Sequence, residues 1–241
     1  MAIARSRRYH RPAMSDDPLQ STTAQPQRVL VTGSAGSIGR VVAPALVKRG
    51  HKVRGFDIQR SGLIDDEIES TITDADAVHA ACAEIDGVVH LAAHPNKADF
   101  MDVLLEPNVI GLHRMMEAAA GAGVRRVVLA SSMQAVTGHR KRGGKITVDD
   151  GPAPLNHYGL TKVWAEEYGR MYARTTEMTV IAVRLGWFVR NKGEYDRLDP
   201  RWAPSVFLSH DDAARYFICC IEAPDPPDGF LIAFATSDAG D

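Results

Sequence analysis

From residue 28 onward the apolar positions follow two patterns in alternation. Short continuous runs of β-branched and aliphatic residues read as buried parallel strands, which lack polar alternation because both faces are covered. Between them lie stretches with apolar residues every three or four positions, the spacing of one helix face. The predicted strands are 29–32, Lys52–Asp57, Ser70–Asp74, Gly87–Ala93, Arg126–Ser132, Val180–Phe188 and Phe230–Phe234. The predicted helices run from Gly39 to a stop at Gly50, Asp76 to Ile85, Asn108 to Gly121, Tyr158 through Met171, and Asp211 to Glu222. Strands alternating with helices predict an α/β fold with a doubly wound parallel sheet. Such sheets bind ligands beyond the carboxyl ends of their strands. Gly33, Asp57, Ala93 and Ser132 all fall at such ends, so four strand ends converge on one crevice.

The first strand runs into Thr32-Gly33-Ser34-Ala35-Gly36-Ser37-Ile38-Gly39 and then a helix. A glycine turn between strand and helix presents backbone N–H groups and a positive helix end to an anion, usually a dinucleotide pyrophosphate. Gly33, Ala35, Gly36, Ser37, Ile38 and Gly39 are therefore candidate cofactor contacts. Asp57, followed by Ile58, ends the second strand about 20 residues beyond that turn, where dinucleotide folds place a ribose-binding carboxylate. A carboxylate there accepts from both ribose hydroxyls and repels a 2′-phosphate, which favours NAD over NADP; Arg60 is the one nearby base that argues the other way. The small residues of Leu91-Ala92-Ala93 let a cofactor approach closely.

Composition narrows the function classes. The 241 residues are 45% hydrophobic and 24% charged, enough for one sizeable core. Net charge is −2, which asks for neither nucleic acid nor an anionic membrane surface, and no apolar run reaches membrane-spanning length. The basic loop His139–Lys145 lacks interleaved aromatics and reads as solvated. Cys82, Cys219 and Cys220 have no metal-binding spacing and read as reduced core residues of a cytoplasmic protein; no metal site is expected. Residues 1–27 carry arginines and prolines without aliphatic periodicity and read as a disordered tail.

The candidate chemistry lies in Tyr158-Gly159-Leu160-Thr161-Lys162. Tyrosine and lysine at i and i+4 share a helix face. A phenol with a pKa of about 10 is a poor base at neutral pH; a nearby ammonium favours the phenolate and is expected to lower that value. Tyr158 then takes a proton from a substrate alcohol while hydride leaves for a nicotinamide. Ser132, at its strand end, donates a hydrogen bond to the same oxygen.

These motifs together resemble the extended short-chain dehydrogenase/reductase family, over roughly Arg28 to Asp212. The matching stretches are 32–39, Leu91–Ala93, Asn108, Ala130-Ser131-Ser132 and Tyr158…Lys162. The resemblance implies a Rossmann fold, NAD, and a catalytic group of Ser132, Tyr158 and Lys162. It implies that Asn108 supports the lysine through a water, that Thr71 and Ile72 line the adenine pocket, and that the helices carrying Asn108 and Tyr158 form a homodimer. Within the family the chain is most similar to uronate dehydrogenases, through 87–91, 108–112, 128–132, 170–172, 209–212 and 237–240. That similarity implies oxidation of a hexuronic acid, with Arg201 as the match for the residue holding the substrate carboxylate and Arg197 as second choice.

The substrate side departs from the family. Its Asn-His pair after the catalytic serine is Met133-Gln134 here, and a serine after the Leu-Ala-Ala strand is replaced around His94-Pro95. Met133, Gln134 and His94 stay candidate substrate contacts, with Asn96, Lys97, Asn156 and His157 as further substitutes. The expected organisation is a tail (1–27), an NAD-binding catalytic domain (28–186) and a small, truncated substrate-side region (187–241), with 189–208 as a lid. The expected function is oxidation of a sugar or sugar-acid hydroxyl by NAD. The alternatives are a nucleotide-sugar epimerase or dehydratase and a non-catalytic NAD-binding regulator.

Overall fold

The computed structural model describes residues 25–190, 194 and 203–237, with the backbone only at Lys141, Arg142, Ala203 and Pro204. The core is a seven-stranded sheet made of β1 (Arg28–Thr32), β2 (Lys52–Asp57), β3 (Asp66–Glu69), β4 (Gly87–His90), β5 (Arg126–Ser132), β6 (Thr179–Leu185) and β9 (Phe230–Ala235). Its order is β3-β2-β1-β4-β5-β6-β9, and every pairing is parallel. Strand order reverses between β1 and β4, which opens a crevice at their carboxyl ends. The small β7 (Trp187–Phe188) leaves the sheet to pair with β8 (Phe207–Leu208).

Helices cover both faces. Val29 and Val31 of β1 pack with α1 (Gly39–Arg49) and α5 (His210–Glu222), while Leu30 between them packs toward α2 (Ala75–Cys82), α3 (Gly111–Gly121) and α4 (His157–Thr175). Side chains alternate across a strand, so burial on both sides makes every position apolar. This three-layer arrangement is the doubly wound parallel sheet that the alternating pattern predicts, in the Rossmann-like form that the family resemblance implies.

Four local expectations need correction. Ser70–Asp74 is not a strand. The edge strand is Asp66–Glu69, whose charged residues suit an edge and hide its pairing with β2. Ser70–Asp74 instead forms the turn into α2, where the Asp74 carboxylate accepts the Ala77 N–H. The third helix begins before Asn108: a π-helical segment, Phe100–Ile110, leads directly into α3. Pro107 inside it has no N–H to give an α-helical ladder, which is why the pattern breaks there. The run Val180–Phe188 is two strands, with β6 ending at Leu185. Cys82 and Cys220 are buried, but Cys219 lies on the exposed face of α5 rather than in the core.

Candidate active site

The turn after β1 is shaped by close backbone packing. Gly33 has φ +73°, and a Cβ there would sit 2.7 Å from the Ala92 nitrogen. A Cβ on Gly39 would lie 2.1 Å from the Gly33 oxygen. Gly36 is exposed, and a Cβ would meet only the Gly33 oxygen at 3.2 Å. So Gly33 and Gly39 build the turn, and Gly36 keeps its mouth open. No side chain caps α1, and the N–H groups of Ser37 and Ile38 have no hydrogen-bond partner among the described residues. These are orphan donors at a helix start, the kind of group that receives an anion.

Asp57 stands beside this mouth. Its carboxylate accepts the Ala35 N–H at 3.0 Å and the Gln59 N–H at 3.3 Å. Ile58 is exposed, and Arg60 lies 3.9 Å from Glu69. Thr71 is exposed and bonds Thr73, whereas the Ile72 side chain is buried against Gly111. Ile72 therefore spends its side chain on the core and has only its main chain to offer a ligand. On the other side Leu91, Ala92 and Ala93 are half-buried, tied to β1 by Leu91 N–H to Thr32 O and Ala92 N–H to Thr32 Oγ1. Thr32 Oγ1 also bonds His90 Nδ1 at 2.8 Å. Burial, reinforced by the Lys162 charge, pushes His90 down to about 3, so its ring is neutral.

At the end of β5, Ser132 Oγ accepts the Gln134 N–H at 3.1 Å, and its side chain is the neighbour that pulls the Tyr158 pKa down. Tyr158 and Lys162 lie on the buried face of α4. Lys162 Nζ is 5.6 Å from the centre of the Tyr158 ring and donates to Ala130 O at 2.9 Å. The phenol departs from expectation: burial raises its pKa, and the Ser132 hydrogen bond only partly offsets this. Lys162, buried as well, is pushed down to about 8 by desolvation.

Asn108 is buried, and its amide is fully engaged. Nδ2 donates to His94 O at 3.1 Å and Thr161 Oγ1 at 3.2 Å, and Oδ1 accepts the His94 N–H at 2.7 Å. It thus clamps the loop after β4 onto α4, and the direct partner of Lys162 is Ala130. Met133 and Gln134 follow Ser132 directly and His94 is tied to Asn108; all three are half-buried. Arg201 and Arg197 lie outside the described residues, as does most of the expected lid.

Beneath the site is a network the sequence reading missed. Arg184 on β6 forks onto Glu166 through two 2.8 Å bonds, and Ser131 donates to the same carboxylate at 2.6 Å. Both charges are about 1% exposed, and Arg184 Nη1 has no partner among the described residues. Glu166 is one helical turn beyond Lys162 and Ser131 precedes Ser132, so the pair binds the two halves of the site from below. The spacing Tyr158, Lys162, Glu166 was the available signal. Among the described residues no acidic, histidine or cysteine cluster could hold a metal, and no helix is long and apolar enough to cross a membrane.

Residues 29–202 match the family described as the NAD dependent epimerase/dehydratase family. L-arabinose 1-dehydrogenase (NAD(P)(+)) of Haloferax volcanii is 31% identical, over 88% of this chain and 89% of its own. Uronate dehydrogenase of Agrobacterium fabrum is 32% identical, over 82% of this chain and 71% of its own. A crystal structure of uronate dehydrogenase from Agrobacterium tumefaciens, a mutant complexed with NAD, is 28% identical with a TM-score of 0.78, over 90% of this chain and 80% of that one.

Proposed function

The chain belongs to the NAD-dependent epimerase/dehydratase family, and from that premise we propose that it is an NAD-dependent dehydrogenase oxidising a hydroxyl of a sugar or sugar acid. The observation that carries this is the assembly of Ser132, Tyr158 and Lys162 at the end of β5 and the start of α4, on the same sheet edge as the uncapped start of α1.

The residues fit the cofactor. Ser37 and Ile38 offer uncommitted N–H groups for its pyrophosphate, Gly36 lets it approach, Asp57 accepts from a ribose, and Leu91, Ala92 and Ala93 flank it. Bound there, NAD supplies a hydride acceptor. Tyr158 accepts the proton of the substrate hydroxyl, and Ser132 holds that oxygen. Lys162 places a positive charge behind the phenol and favours the phenolate as it forms. Asn108 positions this group through His94 and Thr161.

In this reading residues 28–186 hold the cofactor and the catalytic group, and 187–241 form a small substrate-side region that returns to the sheet through α5 and β9; Met133, Gln134 and His94 contact the sugar, and Arg201 is the proposed partner of a substrate carboxylate. The relatives' names favour a uronate or an aldose as substrate. The protein works in the cytoplasm, where its cysteines stay reduced. It works as a homodimer, through the face where Met101 of the π-helical segment and Leu160, Trp164 and Met171 of α4 are exposed.

A panel of uronates and aldoses, followed by NADH absorbance, tests the reaction. Net NADH is expected with at least one of them, and Arg201→Ala raises KM for a uronate alone. Copurifying NAD with no net NADH would point to the epimerase reading instead. Light scattering tests the dimer: the parent runs at twice the chain mass and Trp164→Glu at the chain mass, and a monomeric parent removes the proposal.

A further inference from the structure

Asn156 is the residue before α4 and its N-cap. Its backbone is extended, and Oδ1 accepts the Gly159 N–H at 2.9 Å. That bond decides which way the amide faces. A carboxamide carries an acceptor at one end and two donors at the other. The cap needs an acceptor, because the first N–H groups of a helix have no carbonyl partners. The NH₂ of Asn156 is therefore turned away from the helix, where it donates to Gln134 Oε1 at 3.0 Å.

The consequence passes to Gln134. With its oxygen turned to Asn156, its NH₂ is at the opposite end of the amide, and Nε2 has no partner among the described residues. The rest of the residue is held firmly. Its N–H donates to Ser132 Oγ at 3.1 Å, and its carbonyl accepts the Thr137 hydroxyl at 3.3 Å. The same carbonyl packs on Gly159, where a Cβ would lie 2.5 Å from it. Gln134 is thus pinned next to Ser132 and against the start of the helix that carries Tyr158, with a half-buried side chain.

We propose that Asn156 is a positioning residue that fixes Gln134 as a hydrogen-bond donor, so that Gln134 selects a substrate oxygen able only to accept. Two such groups occur on a cyclic sugar acid: the carboxylate and the ring ether oxygen. A hydroxyl accepts from this NH₂ too, but it can equally donate to a turned amide, so only an accept-only oxygen makes binding depend on the orientation that Asn156 imposes. The substrate part of this inference rests on the sugar-dehydrogenase reading above; the orientation of the two amides does not.

The discriminating variant is Asn156→Asp. Aspartate caps a helix as well as asparagine does, but its second oxygen only accepts. Gln134 must then turn its NH₂ toward residue 156 and present its oxygen to the substrate. The expected result is a KM for uronate at least tenfold higher, with kcat changed by less than threefold, KM for NAD unchanged and a thermal midpoint no lower than the parent's. Asn156→Ser keeps the cap and releases Gln134, and is expected to raise KM by about threefold. Kinetics at low and high salt separate the turned amide from charge repulsion, which salt screens. A salt-resistant KM rise with uronate alone assigns the carboxylate, and a rise with both uronate and aldose assigns the ring oxygen. Unchanged KM for both, or a rise that salt abolishes, overturns the inference.

Side-chain amide exchange, followed by NMR, reads the orientation without turnover. The Gln134 NH₂ protons should exchange as freely as exposed amides in the parent and be slowed in Asn156→Asp. A Gln134 NH₂ already protected in the parent overturns the orientation. A parent that reduces no NAD with any sugar sinks the functional reading and the substrate selection with it, and the orientation then stands or falls on the exchange.

Discussion

Lys162 lies one helical turn beyond Tyr158, its Nζ 5.6 Å from the centre of the phenol ring and bonded to the Ala130 carbonyl. The ammonium is buried, and desolvation lowers its pKa from 10.5 to about 8. Between those values the unfolded chain binds a proton that the folded chain refuses, so stability rises as pH climbs through the window. At pH 7 both states are charged and the folded state bears the whole penalty. Lys162→Met should therefore stabilise the protein by about 1–3 kcal/mol at pH 7. It should also lower kcat by roughly 100-fold or more. Thermal melts and NADH kinetics on the same preparation check this; a destabilised variant would show that the Ala130 bond outweighs desolvation.

The phenol of Tyr158 is raised by burial, with only the Ser132 bond pulling it down. The basic form is thus scarce at neutral pH. Oxidation should speed up steadily from pH 7 upward and slacken above about 8, where Lys162 loses its proton. Tyr158→Phe should lose about 100-fold or more in kcat while binding NAD as the parent does. A rate independent of pH between 7 and 9 would remove Tyr158 from the role of base.

Two glycines three residues apart should respond differently to alanine. At Gly33 a Cβ meets the Ala92 backbone at 2.7 Å and φ is +73°, so Gly33→Ala should cost roughly 2–4 kcal/mol of stability. At Gly36 the Cβ meets one atom at 3.2 Å. Gly36→Ala should cost less than about 1 kcal/mol and weaken NAD binding about tenfold. Melting curves and NAD titrations separate the two, and equal destabilisation would contradict the division of labour in the turn.

His90 sets an acid limit. Its folded pKa is about 3 against 6.5 for the free side chain. As pH falls below 6.5 the unfolded chain takes up a proton that the folded chain does not, and stability drops progressively toward pH 3. By pH 4.5 this amounts to about 2–3 kcal/mol. His90→Gln should be about 1 kcal/mol less stable at pH 7, through the lost Thr32 bond, yet lose about 2 kcal/mol less on going to pH 4.5. Urea midpoints at the two pH values decide this, and parallel losses would place the acid sensitivity elsewhere.

Much of the fold is legible in the chain because its signals are local. Val29 to Thr32 is apolar at every position since both faces of β1 are covered. Gly33 and Gly39 mark a turn no other residue fits, and Tyr158 and Lys162 share a face because a helix repeats every 3.6 residues. Those facts determine the Rossmann-like layering and bring the candidate cofactor and catalytic residues to one sheet edge. Other features depend on which segments meet. Asp66–Glu69 becomes a strand only because β2 offers it an edge, while Ser70–Asp74, richer in β-formers, is drawn into a helix cap. Glu166 on α4 finds Arg184 and Ser131 on two neighbouring strands, and Asn156 finds Gln134 across a loop. The upward shift of Tyr158 is likewise a property of its burial rather than of its spacing from Lys162. Sequence periodicity decides which face a residue occupies; the electrostatics and hydrogen-bond polarity at the site depend on desolvation and on partners that only the folded chain brings together.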